Sequence, residues 1–294
     1  MVFTSNYLPM DHFKIFINLT RLNKPIGIML LFWPCAWGLA YVYSVEQNLN
    51  QFLYYLFLFF LGSFLMRSSG CIVNDIVDID IDKKVQRTKN RPLASNLISI
   101  KLALIYACIL CAVAFLILIQ FNLLTILLGF ASMVLAFTYP FMKRITYWPQ
   151  FFLGLTFNWG IVMAWTATNN NISIEAIILY VAAIFWTLGY DTIYGAQDIV
   201  DDEIIGIKST SVKFKGNIKL FVSFCYFLSS LLMFYLFYNQ FGLNNFTLLF
   251  IFFSLSLMYQ IIKFNKNSSK KCLQAFRLNN LTGLLLFLGI FLIN

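Results

Sequence analysis

Residues 102–142 read LALIYACILCAVAFLILIQFNLLTILLGFASMVLAFTYPFM, without one charged side chain. A helix that crosses a hydrocarbon core of ~30 Å needs about 20 predominantly apolar residues. The run is long enough to cross twice, and Gln120-Phe121-Asn122 reads as the polar tip of the hairpin between the two crossings. Residues 220–262 repeat the arrangement, free of charge and broken by the stretch from Tyr238 to Asn245. Across the whole chain 60% of residues are hydrophobic, 11% are charged and the mean hydropathy is +0.77. A water-soluble domain of 294 residues cannot hide that much apolar surface, so the solvent must be lipid.

With the same length criterion the chain offers nine spans, at 26–45, 52–72, 100–119, 123–140, 149–168, 173–194, 218–238, 244–263 and 273–293. The charges test this count. With nine spans and the N-terminus inside, all 21 Lys and Arg fall in the N-terminal segment or on inner loops, and the outer loops hold none. The positive-inside rule therefore predicts an all-α membrane protein with a cytoplasmic N-terminus. The net charge of +9 is then explained by topology and the anionic inner leaflet. No aromatic-basic motif points to nucleic acid. The first 24 residues carry neither a cleavable signal pattern nor an Arg- and Ser-rich transit segment, and a bacterial inner membrane is the expected location. The expected organisation is one domain over 1–294, with a cytoplasmic segment at 1–25 and two long loops at 74–99 and 195–217.

The six cysteines lie mostly in apolar runs, and Cys108 and Cys111 form a CxxC inside a hydrophobic stretch with no strand or turn beside it. They read as small packing residues. The single histidine, His12, precedes the first span, which excludes His-based catalysis and His-rich metal sites.

The acidic residues are distributed differently. Nine of the 12 Asp and Glu fall in two patches. The first contains Asn74-Asp75-x-x-Asp78-x-Asp80-x-Asp82; the second runs from Asp191 through Tyr194 and Asp198 to Asp201, Asp202 and Glu203. On a helix, Asp75, Asp78 and Asp82 share one face while Asp80 points elsewhere, and Asp191, Tyr194, Asp198, Asp201 and Asp202 form a second stripe. Like charges at this spacing repel, and desolvation near lipid adds to the cost. A cation must neutralise them, and Mg²⁺ suits because it takes carboxylate oxygens and shares its remaining positions with water and phosphate. The expected metal ligands are Asp75, Asp78, Asp82, Asp198 and Asp202. Cations suited to phosphate follow each patch, and Asn74, Lys84, Arg87, Arg91 and Lys208 are expected to hold a diphosphate.

These motifs resemble the UbiA superfamily of intramembrane prenyltransferases. Asn74-Asp75-x-x-Asp78-x-x-x-Asp82 is similar to that family's first Asp-rich motif. Asp191 to Asp202 is similar to its second, with Gly195 where Ala is usual. Arg21-Leu-Asn-Lys-Pro-Ile-Gly27, Met66-Arg67-Ser-Ser-Gly70, Arg87 to Ser95, Tyr139-Pro-Phe-Met-Lys-Arg144 and Gly206-Ile-Lys-Ser-Thr210 resemble the branch that acts on 4-hydroxybenzoate. The resemblance implies a helical bundle around a central cavity, Mg²⁺ dependence, and transfer of a polyprenyl chain from its diphosphate to the carbon beside the hydroxyl of 4-hydroxybenzoate, in ubiquinone synthesis. It further implies that Arg144, with Lys143, binds the acceptor's carboxylate. Asp191 would orient or deprotonate the phenol, with Tyr194 beside it. Trp33, Trp165, Phe137 and Tyr139 are aromatic candidates for stabilising an allylic cation. Other acceptors (naphthoate, homogentisate, haem or glycerol phosphate) stay open, as does a cation-coupled transporter, which would also use intramembrane acids. Prenyl chain length and oligomeric state leave no mark in the sequence.

Overall fold

The computed structural model describes residues 12–293, so residues 1–11 of the expected N-terminal segment lie outside the described residues. Within them the regular structure is helical throughout. In chain order it comprises α1 (His12–Thr20), α2 (Ile26–Glu46), α3 (Leu49–Val77), α4 (Ile79–Asp82), α5 (Ile100–Leu118), α6 (Leu123–Ile145) and α7 (Pro149–Asn169). It continues with α8 (Ile174–Gly195), α9 (Ile199–Ile205), α10 (Thr210–Lys213), α11 (Ile218–Leu236), α12 (Asn245–Lys263), α13 (Ser269–Arg277) and α14 (Asn279–Phe291). Nine of these segments, counting α13 and α14 together, are long and apolar enough to cross a membrane. This agrees with the number of spans read from the charge pattern.

The hairpin tips work as the sequence requires. Asn122 caps α6 by accepting from the Thr125 amide at 2.9 Å, and its amide donates to the Thr166 carbonyl at 2.6 Å, tying the tip to α7. Asn48, Ser99, Ser173, Asn244 and Ser268 cap α3, α5, α8, α12 and α13 in the same way. Each satisfies an amide that would otherwise lack a partner at a helix start.

α2 and α8 are the most buried spans and α5 and α6 the least. The core between α2 and α8 is built on the Trp37–Trp186 pair, with ring centroids 4.8 Å apart. α5 and α6 turn many large apolar side chains outward, among them Ile109, Leu116, Leu127 and Phe137, as lipid-facing helices do.

The ninth span differs from the single helix expected over 273–293. It breaks at Leu278 into α13 and α14, and a buried polar network fills the break. Trp186 Nε1 donates to Asn279 Oδ1 at 2.8 Å, Asn279 Nδ2 and Tyr226 Oη donate to Gln260 Oε1 at 2.8 and 2.7 Å, and Gln260 Nε2 donates to Thr282 Oγ1 at 2.9 Å. In lipid every polar group must find an internal partner, so this network fixes α8, α11, α12 and α14 against one another.

Candidate active site

The second span is longer than the sequence suggested and carries Asp75 inside its last turn. The helix then stops. Asp78 has φ −101° and ψ 8°, and α4 restarts at Ile79. Asp75, Asp78 and Asp82 therefore do not lie along one continuous helix face; each is at most 5% exposed, and Asp78 and Asp82 line the central cavity while Asp75 is buried beside it. Asp80 points outward and is exposed, as its spacing predicts.

The second patch breaks too. α8 ends at Gly195, and Asp198 stands at the start of α9. The single stripe read from the sequence is thereby divided. Asp191, Tyr194, Asp198 and Asp202 line one cavity. Asp201 instead accepts from the Gln86 backbone amide at 3.3 Å, and Glu203 pairs with Lys215 at 2.5 Å. Gly206, at φ +80°, caps α9 in a left-handed conformation that a residue with a Cβ rarely adopts, and returns the chain towards Lys208. Lys208 lines the cavity while its Nζ donates to the Ile145 carbonyl at 3.1 Å.

The two patches face each other across a cavity of about 1570 Å³. Its rim is polar; its deeper wall is apolar, with Leu58, Phe59, Ile117, Phe121, Phe130 and Met163. This volume exceeds the roughly 300–1,000 Å³ of ordinary small-molecule pockets, and the wall suits a long hydrocarbon.

Cations engage the carboxylates. Asp75 Oδ1 accepts from Arg21 and, at 3.0 Å, from Arg91, which also donates to Asp82 Oδ2 at 2.8 Å. Lys143 pairs with Asp78 Oδ2, which also accepts from Asn74 at 3.1 Å. Across the rim, Arg87 Nε reaches Asp198 Oδ1 at 2.9 Å, its terminal nitrogen reaches Oδ2 at 2.5 Å, and it donates to Tyr194 Oη at 2.9 Å. Two oxygens in the first patch, Asp75 Oδ2 and Asp78 Oδ1, are buried without a hydrogen-bond partner. Among the described residues no three acidic, Cys or His side chains stand together as a ready-made metal cage. Burial pushes the Asp78 carboxyl above the ordinary range, against the pull of Lys143. Burial and the neighbouring Asp198 charge push Asp202 up to about 7, opposed by Lys143 and Arg87.

Several expected residues stand elsewhere. Lys84 is exposed and is not among the residues lining the cavity. Arg144 does not line it; it donates to the Val77 carbonyl at 2.7 Å at the end of α3 and stands 3.8 Å from Asp78 Oδ1, while Lys143 engages the other oxygen of Asp78. Of the four aromatic candidates only Tyr139 lines the cavity. Phe137 faces outward, Trp33 Nε1 donates to Asn280, and Trp165 Nε1 donates to Asn171 at the opposite end of α7.

Deeper in the cavity lies a cation to which the sequence reading gave no role. Arg67 lines the wall with its guanidinium 5.3 Å from the Phe157 ring centroid. It crosses Gly27, where a Cβ would come 2.7 Å from Nε. Asp191, Tyr139 and Tyr190 are its electrostatic neighbours. A lone cation ten residues inside an apolar span was the available signal. Arg21 was similarly hidden; it adopts φ 60° between α1 and α2 and thereby reaches Asp75.

A model described as the UbiA prenyltransferase family matches residues 31–288. The mitochondrial 4-hydroxybenzoate polyprenyltransferase of Drosophila pseudoobscura pseudoobscura is 41% identical, over 95% of this chain and 70% of that protein. The 4-hydroxybenzoate octaprenyltransferase of Psychromonas ingrahamii is 39% identical, over 98% of this chain and 99% of its own length. The solved structure of a UbiA homolog from Archaeoglobus fulgidus bound to GPP and Mg²⁺ shares the fold with a TM-score of 0.70 and 17% identity, over 94% of this chain and 99% of that one.

Proposed function

The chain belongs to the UbiA prenyltransferase family, and on that premise we propose that it transfers a polyprenyl chain from its diphosphate to 4-hydroxybenzoate, at the carbon ortho to the hydroxyl. One observation carries the reading. Two acidic patches more than 100 residues apart in sequence meet across the rim of a single apolar cavity, joined by Arg87 and Asp198. The names of the relatives in Drosophila and Psychromonas support the acceptor.

The donor set fits Mg²⁺. It consists of hard carboxylate oxygens, two of which are buried without a hydrogen-bond partner. Asp75, Asp78 and Asp82 would hold the metal from one side, Asp198 and Asp202 from the other. When bound there, Mg²⁺ supplies positive charge to the departing diphosphate. The chain's own residues do the rest. Arg87, Arg91, Lys143 and Lys208 line the same rim and would take the remaining phosphate oxygens, with Asn74 orienting Asp78. The apolar wall receives the hydrocarbon and excludes water from the reacting carbon. As the C–O bond breaks, its electron pair leaves with the diphosphate. The ortho carbon of the acceptor then bonds to the allylic carbon and releases its proton, for which Asp191 is the nearest carboxylate in the deep part of the cavity.

The acceptor's carboxylate is assigned to Arg67 rather than Arg144. Arg67 lines the cavity beside Asp191, and among the described residues it makes no ion pair, whereas Arg144 does not line the cavity and is engaged by the Val77 carbonyl and Asp78. We read the chain as one such unit over 1–294 in a bacterial inner membrane, with the N-terminus and the acidic rim on the cytoplasmic face. The distribution of all 21 cations supports this orientation.

The decisive experiment reconstitutes the protein in liposomes with Mg²⁺ and one labelled polyprenyl diphosphate, and offers 4-hydroxybenzoate, a dihydroxynaphthoate and homogentisate. The expected product is ortho-prenylated 4-hydroxybenzoate, identified by mass spectrometry and NMR. Preference for another acceptor, or ion flux without prenyl diphosphate, overturns the reading.

A further inference from the structure

Glu203 is the last acidic side chain in the sequence. Up to that residue Lys and Arg balance Asp and Glu, twelve against twelve, and the nine cations from Lys208 to Arg277 carry the whole net charge of +9. Confinement of cations to one end of the spans does not require acids to be absent there. The first 203 residues mix both signs; the remainder does not.

The fold gathers these cations on one surface. Lys219 stands in the first turn of α11 and Lys263 closes α12, the two helices of one hairpin. Lys266 Nζ donates to the Lys215 carbonyl at 2.9 Å, tying the chain after α12 to the turn before α11. Lys270 and Lys271 follow, exposed on α13, whose opposite side buries Cys272, Ala275 and Phe276. Of the nine cations only Lys215 pairs with a carboxylate among the described residues, and its partner is Glu203. Directly beside the lysines the hairpin turns apolar side chains outward. Leu220 and Ile262 are 71% and 73% exposed, and Phe224 and Tyr259 follow one turn further in. Lys263 lies along that surface with Nζ 5.4 Å from the Tyr259 ring centroid, the posture of a lysine at a lipid–water boundary.

We propose that Lys219, Lys263 and Lys266 hold the headgroup phosphate of an anionic phospholipid, with Lys270 and Lys271 extending the site along α13. Its acyl chains cover the exposed face of the α11–α12 hairpin. Basic clusters at the ends of membrane helices bind such headgroups. Charge selects this occupant. The one neighbouring carboxylate, Glu203, is taken by Lys215, so nothing here can hold a metal, and a metal-bound diphosphate belongs at the acidic rim instead. A zwitterionic headgroup would bring its own cation against the lysines. The site is independent of which acceptor the enzyme uses.

The test takes the full chain, delipidated in a neutral detergent without Mg²⁺ or prenyl diphosphate, and titrates it with phosphatidylglycerol, phosphatidylcholine or glycerol phosphate. Native mass spectrometry counts the bound molecules, and the melting temperature reports the linked stabilisation. Phosphatidylglycerol should bind about tenfold more tightly than phosphatidylcholine, and glycerol phosphate should neither bind nor stabilise. The triple variant Lys219→Gln, Lys263→Gln, Lys266→Gln should weaken phosphatidylglycerol by about fivefold per lysine. Lys14→Gln, Lys89→Gln, Lys101→Gln removes the same charge from exposed positions in the balanced part of the chain and should leave binding unchanged. Equal losses in the two variants would reduce the effect to net charge and overturn the site. Equal binding of the two lipids, or glycerol phosphate binding as tightly as the lipid, would do the same. Should the first variant fail to fold, the second decides against the wild type: any loss of phosphatidylglycerol there overturns the proposal.

Discussion

Arg87, from the loop after the first acidic patch, grips both carboxylate oxygens of Asp198, from the second, 111 positions further along the chain. One residue of the phosphate-binding type thus occupies one of the metal-binding type. The same holds for Arg91 on Asp75 and Asp82 and for Lys143 on Asp78. The carboxylates and cations of the site neutralise one another, and on the proposed function bound ligands would exchange these partners: metal for the carboxylates, phosphate for the cations.

Coupled binding follows from this exchange. Mg²⁺ and diphosphate should each bind weakly alone and strongly together, a positive coupling that is necessarily reciprocal. Removing the guanidinium in Arg87→Gln should tighten Mg²⁺ alone by about tenfold and weaken inorganic diphosphate by about tenfold. Isothermal titration of each ligand, separately and with the other saturating, measures both effects. Loss of affinity for both ligands in the variant would contradict the exchange.

The pH dependence has a definite sign. The Asp202 carboxyl, raised to about 7 by burial and by Asp198, is protonated below neutrality. Protons then compete with the metal, and Mg²⁺ affinity measured with diphosphate present should fall about tenfold per pH unit below ~7 and level off above it. The linked stability runs the other way. The folded state holds this proton where the unfolded chain has lost it, so stability contributed by Asp202 falls as pH rises from 3.8 towards about 7. Asp202→Asn should flatten both slopes; a slope unchanged in the variant would assign the titration to another group.

Gly27 is where the cavity needs a missing side chain. A Cβ there would meet Arg67 Nε at 2.7 Å and a terminal guanidinium nitrogen at 3.1 Å, so Gly27→Ala should push the guanidinium off the Phe157 ring. The expected result is a rise of about tenfold in acceptor KM with donor KM unchanged. Steady-state kinetics with each substrate varied in turn would check this, and a change confined to the donor would place Arg67 on the diphosphate side.

The break in the ninth span supports the site from behind. Asn279→Ala would leave Trp186 Nε1 without its acceptor and remove one of Gln260's partners, all fully buried. A buried polar group left unsatisfied costs about 1–3 kcal/mol, and a lower melting temperature in detergent should report it.

The nine spans were readable because lipid makes one simple demand: long charge-free runs, with cations confined to one end. The identities of the patch residues were readable because nine carboxylates beside lipid have few structural uses. Direction was harder to read. The helical spacing of Asp75, Asp78 and Asp82 placed them on one helix face, but the helix breaks at Asp78 and only Asp78 and Asp82 line the cavity, and a break depends on what packs against it. Gly195, a small-for-small exchange by sequence, lies where a Cβ would come 2.7 Å from Ser211 Oγ. Arg144 and Lys143 are adjacent cations that both pair with Asp78, yet only Lys143 lines the cavity.

The sequence by itself determined the solvent, the number of crossings and the two acidic patches, because hydropathy, charge placement and residue spacing are local properties of the chain. Only the tertiary structure decided which cation neutralises which carboxylate, and that Arg67 stands beside Asp191 with no ion pair among the described residues. Those are relations between helices far apart in sequence, fixed by packing that places α3, α6 and α8 around one cavity.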